Sequence, residues 1–573
     1  MRNHPAPSSS SRPDPKHSPP LPSAVGLAVV AWALSLCVPA TGKDRDERPN
    51  IVVVLADDLG FSDIGCFGSE IPTPNIDRLA EDGLRFSQFY TCEVCVPARA
   101  SLLTGCYPHR VGRALSAEPG WTAAGIDKTK NELPPAEGHF DPGSYGRTEP
   151  GEPGGLSADR ATLAEVLRDA GYATLMSGKW HCGEGEENWP VNRGFERFFG
   201  LLEGAANYFD PSKDYLKART LMLDANVYEV PEEGFYMTDA ITEYGVRFLE
   251  EQREDDRPFF LYLSYTAPHA PLHAWPEDIR KFEGAFAEGW DVLRRKRYER
   301  LVEAGILNEH CGLSPRDDAV NSWRLSQILH QTEKQQRKME VYAAQIHSMD
   351  RGIGKVLDKL RELGVEENTL VMFLSDNGAY GGELDSDLGD LDSSLPPGGE
   401  NSYESYGRNW ANLSSAPFRL YKTWNHEGGI ATPVVARWPR AIKDGGTVIH
   451  DLAHVIDIMP TMLELAGADY PRTGNGRDAP PMDGKSLAPL LEGGDREGHE
   501  YLCWESFGRR AIRKGKWKLV AKDRVWKLYD MHADRAEMHD LAGAFPDKTR
   551  DLARTYDDWA KRVGAGVPPS TDE

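Results

Sequence analysis

The stretch "RPNIVVVLADDLG", residues 48–60, constrains the fold most. Residues 51–55 are consecutive apolar side chains, mostly β-branched, as in a strand buried on both faces, and such strands belong to sheets covered by helices. The run stops at Asp57-Asp58. The same pattern recurs three times: "YATLMSGKWH" runs into Lys179 and His181, "RPFFLYLSYTAPHAP" reaches His269, and "TLVMFLSDNG" ends at Asp376-Asn377. "GIATPVVARWP", 429–439, is a further apolar strand.

Helical patterns lie between these runs. "TPNIDRLAEDG" offers Thr73 as N-cap, Pro74 at the first helical position and Gly83 as a stop. "TLAEVLRDAG", 162–171, is amphipathic, and residues 339–360 place Met339, Tyr342, Ile346, Met349, Ile353 and Val356 at helical spacing. Helix and strand in alternation predict an α/β fold with a mixed, mostly parallel central sheet flanked by helices. Ligands in such sheets bind beyond the carboxyl ends of the strands. The strand ends therefore bring Asp57, Asp58, Lys179, His181, His269, Asp376 and Asn377 to one edge. Beyond about residue 440 the texture changes to a Gly/Pro-rich linker, then short alternating runs with a turn at Lys522-Asp523, then the amphipathic segment "PDKTRDLARTYDDWAKRV". This predicts a small α+β C-terminal subdomain with an antiparallel sheet, so that 41–440 is the large domain and 441–573 the smaller one.

Residues 1–40 read as a leader: a Pro/Ser-rich, basic start, the apolar run "AVGLAVVAWALSLCV" and small residues at Val38 and Ala40. The apolar run is short for a membrane span. Export to the periplasm or the medium is the expectation, with no membrane association once the leader is removed. The seven cysteines beyond it (Cys66, Cys92, Cys95, Cys106, Cys182, Cys311, Cys503) are odd in number and few for this length, which argues against a disulfide scaffold. A net charge of −23 argues against nucleic acid and anionic membrane as partners. A local cluster of cations can still attract a small anionic substrate.

Asp57, Asp58, Asp376 and Asn377 are hard oxygen donors, which select calcium or magnesium over zinc or copper. Each pair alone also fits an ordinary turn after a strand. Arg99, Lys179, His181, His269 and Lys422 supply a positive lining suited to a tetrahedral oxyanion, and a histidine can assist a leaving oxygen. "TCEVCVPARASLLTG", 91–105, holds a Cys-x-x-Cys. No thioredoxin-like unit surrounds it, and no second ligand pair completes a zinc site.

Cys95-Val96-Pro97-Ala98-Arg99 followed by "ASLLTG" resembles the signature of the formylglycine-dependent sulfatases, Cys-x-Pro-x-Arg with a downstream Leu-Thr-Gly. Cys95 has Pro at +2, Arg at +4 and the Leu-Thr-Gly run after them; Cys92 is read as a bystander. "NIVVVLADDLG", "GKWH", "APHAP", "LSDNG" and "YKTWNHEGG" look like further blocks of that family, in family order, across residues 48–560. Val96 departs from the small or hydroxyl residue usual after the cysteine.

The resemblance implies an alkaline-phosphatase-like fold and hydrolysis of sulfate esters of arylsulfatase type. Cys95 would be oxidised to formylglycine by a formylglycine-generating enzyme. Its hydrated diol would attack sulfur with one hydroxyl and expel sulfate with the other. Asp57, Asp58, Asp376, Asn377 and residue 95 would hold calcium. Arg99 and His181 would hold the formylglycine hydroxyls, Lys179 and Lys422 the sulfate oxygens, and His269 with Lys422 would serve the departing alcohol. The substrate would be a sulfated small molecule or glycan. Two rivals fit the same residues: a phosphonate monoester or phosphodiester hydrolase on this scaffold, and, if Cys95 stays a thiol, a non-catalytic protein that binds sulfated glycans.

Overall fold

In the computed structural model the strand expected at 51–55 spans Asn50–Ala56 (β1). Ile51, Val53 and Leu55 pack into one hydrophobic cluster, Val52 and Val54 into another. The apolar run is thus buried on both faces because both faces of the sheet are covered. The described residues are 48–114, 155–213, 219–308, 310–382, 394–471, 473–474, 477–478, 481–522 and 525–565. The expected leader, most of 113–157 and the acidic residues 383–393 lie outside them.

The other strands of the large sheet are β2 (Leu84–Phe86), β3 (Ala173–Gly178), β4 (Arg197–Leu201), β5 (Leu221–Leu223), β6 (Asn226–Val227), β7 (Phe259–Ser264), β8 (Thr369–Ser375), β9 (Val434–Arg437) and β10 (Thr447–Ile449). The ten strands are ordered β10-β2-β9-β8-β1-β7-β3-β4-β5-β6. The centre, β8-β1-β7-β3-β4, is parallel throughout. β9 runs antiparallel to both β8 and β2. Its start therefore lies beside the carboxyl end of β8, with Val434 opposite Leu374. The sheet is mixed and mostly parallel, as expected.

Helices cover both faces. α1 (Pro74–Glu81), α4 (Met237–Glu251) and α6 (Thr332–Glu362) bury their apolar sides in one cluster; α2 (Cys95–Thr104), α3 (Leu163–Asp169) and α8 (Ile458–Ala466) do so in the other. α5 (Trp290–Glu303) and α7 (Gly407–Ser414) pack on one another. Among the described residues no helix is long and apolar enough to cross a membrane.

α3 opens on a capping box: Thr162 Oγ1 accepts from Glu165 N at 3.1 Å, and Glu165 Oε2 accepts from Thr162 N at 2.6 Å. α1 differs. Thr73 precedes it but caps nothing; its hydroxyl accepts from Gly65 N and donates to Asp77. The free N–H groups of α1 go to a distant carboxylate, Asp350 of α6, at 3.1 Å from Asn75 N and 2.9 Å from Ile76 N. A long-range acceptor has replaced the local cap.

The C-terminal region holds a separate antiparallel sheet of four strands in chain order, β11 (Leu502–Ser506), β12 (Arg509–Lys514), β13 (Trp517–Lys522) and β14 (Val525–Asp530), closed by α9 (Pro546–Val563). β10 and α8, both beyond residue 440, belong with the large sheet: β10 pairs with β2, and α8 packs on α2 and α3.

Candidate active site

The carboxyl ends of β1, β3, β7 and β8 open on one edge, and the polar residues that end them meet there. Asp57 and Asp58 follow β1 directly. Asp58 takes φ +64°, a conformation costly for most side chains and tolerated by Asp. Its backbone N–H donates to Asp376 Oδ1 at 3.2 Å. This ties the β1 and β8 loops together.

Cys95 is the first residue of α2, a helix whose ten residues are all buried. Pro97 falls in the first turn, where a missing N–H costs nothing. Arg99 is one turn on from Cys95 and so on the same face. Its Nε and Nη2 both donate to Asp376 Oδ2, at 3.0 and 2.9 Å. Its Nη1 donates to Ser264 Oγ at 2.5 Å and Lys179 O at 3.1 Å. The arginine is thus fixed from three strand ends.

Two lysines complete the pairing of charges. Lys179 Nζ donates to Asp57 Oδ2 at 2.6 Å. Lys422 Nζ donates to Asp58 Oδ1 at 2.6 Å and lies 4.0 Å from Cys95 Sγ. Lys422 reaches this edge because the chain that carries it leads into antiparallel β9. Asn377 Nδ2 also donates to Asp58 Oδ1, at 2.6 Å. His269 presents Nε2 to Asp58 Oδ2 at 3.3 Å, while its Nδ1 lies 2.5 Å from Ala270 O. His181 takes φ +55° at the end of the β3 loop. Its ring faces Gly204, where a Cβ would stand 2.4 Å from Cε1.

Burial raises the Asp376 carboxyl above its ordinary pKa, with Asp57 adding to the effect and Arg99 opposing it. Burial works the same way on Asp57, but Lys179, His269 and Arg99 outweigh it and hold that carboxyl low. Lys422 is held protonated: burial disfavours its charge, and Asp58 and its neighbours more than offset this. Desolvation, with Lys179, Arg99, Arg113 and Lys422, drives His181 well below its usual value, so it is a neutral imidazole. Burial also raises the Cys95 thiol, against the pull of Lys179 and Lys422.

Three oxygens at this edge accept no hydrogen bond although buried: Asp57 Oδ1, Asp58 Oδ2 and Asn377 Oδ1. A buried oxygen without a hydrogen bond is costly and suits a hard cation; Arg99 Nη2 lies 3.7 Å from Asp57 Oδ1, and His269 Nε2 lies 3.3 Å from Asp58 Oδ2. Asp57, Cys95 and Asp376 present donor atoms within 4.8 Å of one another, as do Asp57, Asp58 and His269. The residues present therefore fit a hard divalent cation. All ten residues picked from the sequence lie at this edge.

Two neighbours were missed. Ser264, the last residue of β7, accepts from Arg99 and donates to Lys179 O at 2.7 Å. Tyr380 stacks on His269, with ring centroids 5.6 Å apart and planes at 25°, and its centroid is 5.4 Å from Lys422 Nζ. The only sequence signal for either is position: Ser264 ends a buried strand, and Tyr380 lies three residues beyond Asn377 in a Gly-rich loop. The seven described cysteines are all free thiols, and Cys92 is packed in the core near Ser101.

Residues 49–468 match the sulfatase family model, and 418–555 match a model described as N-sulphoglucosamine sulphohydrolase, C-terminal. The chain is 36% identical over 552 residues to an uncharacterized sulfatase of Schizosaccharomyces pombe, covering 92% of this chain and 96% of that one. It is 34% identical over 462 residues to an arylsulfatase of Klebsiella aerogenes, covering 78% and 92%. Its structure is similar to the crystal structure of Ps i-CgsB at 26% identity and a TM-score of 0.63, covering 90% and 93% of the two chains; Ps i-CgsB is also known in complex with k-i-k-neocarrahexaose. The match over more than half of the chain, joined to the convergence of acids, lysines and Cys95 on one sheet edge, means that the chain belongs to the sulfatase family and is a sulfuric ester hydrolase.

Proposed function

We propose that the chain hydrolyses sulfate monoesters through a formylglycine derived from Cys95, beside a calcium ion held by Asp57, Asp58, residue 95, Asp376 and Asn377. The observation that carries this reading is the grouping of Asp57, Asp376 and Cys95 donor atoms within 4.8 Å, with Lys422 Nζ 4.0 Å from the Cys95 sulfur. As a thiol, Cys95 is a poor nucleophile here, because burial raises its pKa. A cation held by these residues would supply positive charge beside residue 95 and the sulfate group. Formylglycine supplies a hydrated aldehyde with one hydroxyl for attack and one for release.

The chain's own groups do the rest. Lys179 and Lys422 stabilise charge on the sulfate oxygens. Arg99, clamped by Asp376 and Ser264, and neutral His181 orient the hydroxyls of residue 95. His269, its Nδ1 held by Ala270 O and its Nε2 3.3 Å from Asp58 Oδ2, serves the departing oxygen together with Lys422. The names of the relatives favour an aryl or carbohydrate sulfate as substrate. The apolar run at 24–38, read as part of a leader, favours export, with conversion of Cys95 by a formylglycine-generating enzyme during maturation.

Mass spectrometry of the peptide carrying residue 95, from native-source protein, should give the aldehyde mass in place of the thiol. That protein should turn over 4-nitrophenyl sulfate with kcat/KM at least about tenfold above that for an aryl phosphonate. The reverse order would favour the phosphonate hydrolase, and an intact thiol without turnover the binding protein. Chelation should remove turnover and lower the melting temperature. Calcium at about 100 times its Kd should restore roughly 2.7 kcal/mol of stability. A melting temperature indifferent to chelator and calcium would remove the ion from these oxygens.

A further inference from the structure

Tyr380 touches both groups that the proposed function assigns to the departing alcohol. Its ring stacks on the His269 imidazole and faces the Lys422 ammonium. The electron-rich face of an aromatic ring attracts a cation within about 6 Å, so one side chain contacts an imidazole and an ammonium that come from different loops. Its own position is fixed. A Cβ at Gly382 would lie 2.4 Å from the Tyr380 hydroxyl, and one at Gly381 would lie 2.3 Å from the Tyr421 ring. The loop is pinned by Ser405 Oγ, which donates to Gly382 O at 2.6 Å. Lys422 N donates to Ala379 O at 2.9 Å, which holds the Lys422 chain against the residue before Tyr380.

His269 needs such a support. Ala270 O engages Nδ1 and sets one end of the ring, but nothing in that contact sets the tilt of its plane. Face contact with a fixed tyrosine does. We propose that Tyr380 is a positioning residue: it holds His269 and Lys422 as one unit that donates to the oxygen of the departing alcohol. When the S–O bond breaks, its electron pair goes to that oxygen, and the donors stabilise the charge that develops. Such donation matters least for an acidic phenol and most for a weakly acidic one. The inference rests on the reading that His269 and Lys422 serve the leaving group.

The test uses purified, aldehyde-bearing protein and a series of aryl sulfates from 4-nitrophenyl sulfate to phenyl and 4-methoxyphenyl sulfate. Tyr380→Leu should lower kcat about threefold for 4-nitrophenyl sulfate and about 30-fold or more at the poor-leaving-group end, steepening the dependence on phenol acidity. Tyr380→Phe, which keeps the ring, should keep the wild-type slope and so serves as the folded control. His269→Ala should steepen the slope as Tyr380→Leu does. A steep His269→Ala with an unsteepened Tyr380→Leu would overturn the role of Tyr380 and leave that of His269 standing. An unsteepened His269→Ala would overturn the reading on which the inference rests. A loss for Tyr380→Leu that is equal across the series, with unchanged melting temperature, would also overturn the inference.

Discussion

Lys422→Ala should lose about 10²–10⁴-fold in kcat/KM for an aryl sulfate, roughly 3–5.5 kcal/mol of transition-state stabilisation. Lys422 Nζ lies 2.6 Å from Asp58 and 4.0 Å from Cys95 Sγ, and so touches both the acid cluster and the reacting residue. Its charge is secured by Asp58, so it is present at any pH where the enzyme works. The loss of stability should be smaller, because Asp58 keeps the Asn377 amide as a donor at 2.6 Å and an ion-pair contact with His269 Nε2 at 3.3 Å. Lys422→Arg should not restore the rate, since a planar guanidinium cannot take the place of a compact ammonium in a buried pocket. Kinetics with 4-nitrophenyl sulfate, alongside thermal unfolding, read both quantities. An unchanged rate would remove Lys422 from the site.

Most of this edge was legible because it is built from strand ends. A strand buried on both faces must be apolar, so the first charged residues after it mark where it leaves the core. That is how Asp57, Asp58, Lys179, Asp376 and Asn377 could be read. Arg99 has a different logic. It sits inside α2 at helical spacing from Cys95, and only the Cys-x-Pro-x-Arg pattern with its downstream Leu-Thr-Gly singles it out among the arginines. What could not be read depends on contacts between distant segments. β10 is a three-residue strand with no period to detect, so its place in the large sheet was missed. Thr73 has the residue type of a cap but loses that role to Asp350, far away in sequence. Tyr380 has no charge and no motif. Its role depends on where two other loops put His269 and Lys422.

The same limit hides the joint between the two sheets, which carries the second large expected effect. Lys518 of β13 is fully buried, with Nζ 2.8 Å from Glu427 Oε1 and 2.9 Å from Glu537 Oε1. Glu427 Oε2 also accepts from Tyr90 Oη at 2.7 Å and from Arg535 Nε at 2.9 Å. Glu427 belongs to the short helical turn Glu427–Ile430 ahead of β9. Gly378 N donates to Gly429 O at 3.0 Å, which ties that turn to the Asp376-Asn377 loop. Lys518→Met keeps the volume and removes the cation, leaving two buried carboxylates. The expected cost is about 3–5 kcal/mol, seen as a lower melting temperature, with some loss of turnover as the loops relax. The cost should depend on pH. Burial lifts Glu537 to about 7 even with Lys518 pulling it down. Burial also presses on Glu427, which Lys518, Arg535 and Arg513 together hold at about 2. Without Lys518 both folded-state values rise. A carboxyl whose folded pKa exceeds its unfolded one contributes stability below the unfolded value and loses it as pH rises through the folded value. The variant therefore recovers part of its loss at pH 5, where these acids take up protons, and bears the full cost at pH 8, where two buried carboxylates share the remaining Arg535 and Arg513. Thermal unfolding of wild type and variant at both pH values should give a gap that widens from pH 5 to pH 8. A gap that narrows or stays constant would mean that Lys518 is not what lets the two acids stay ionised.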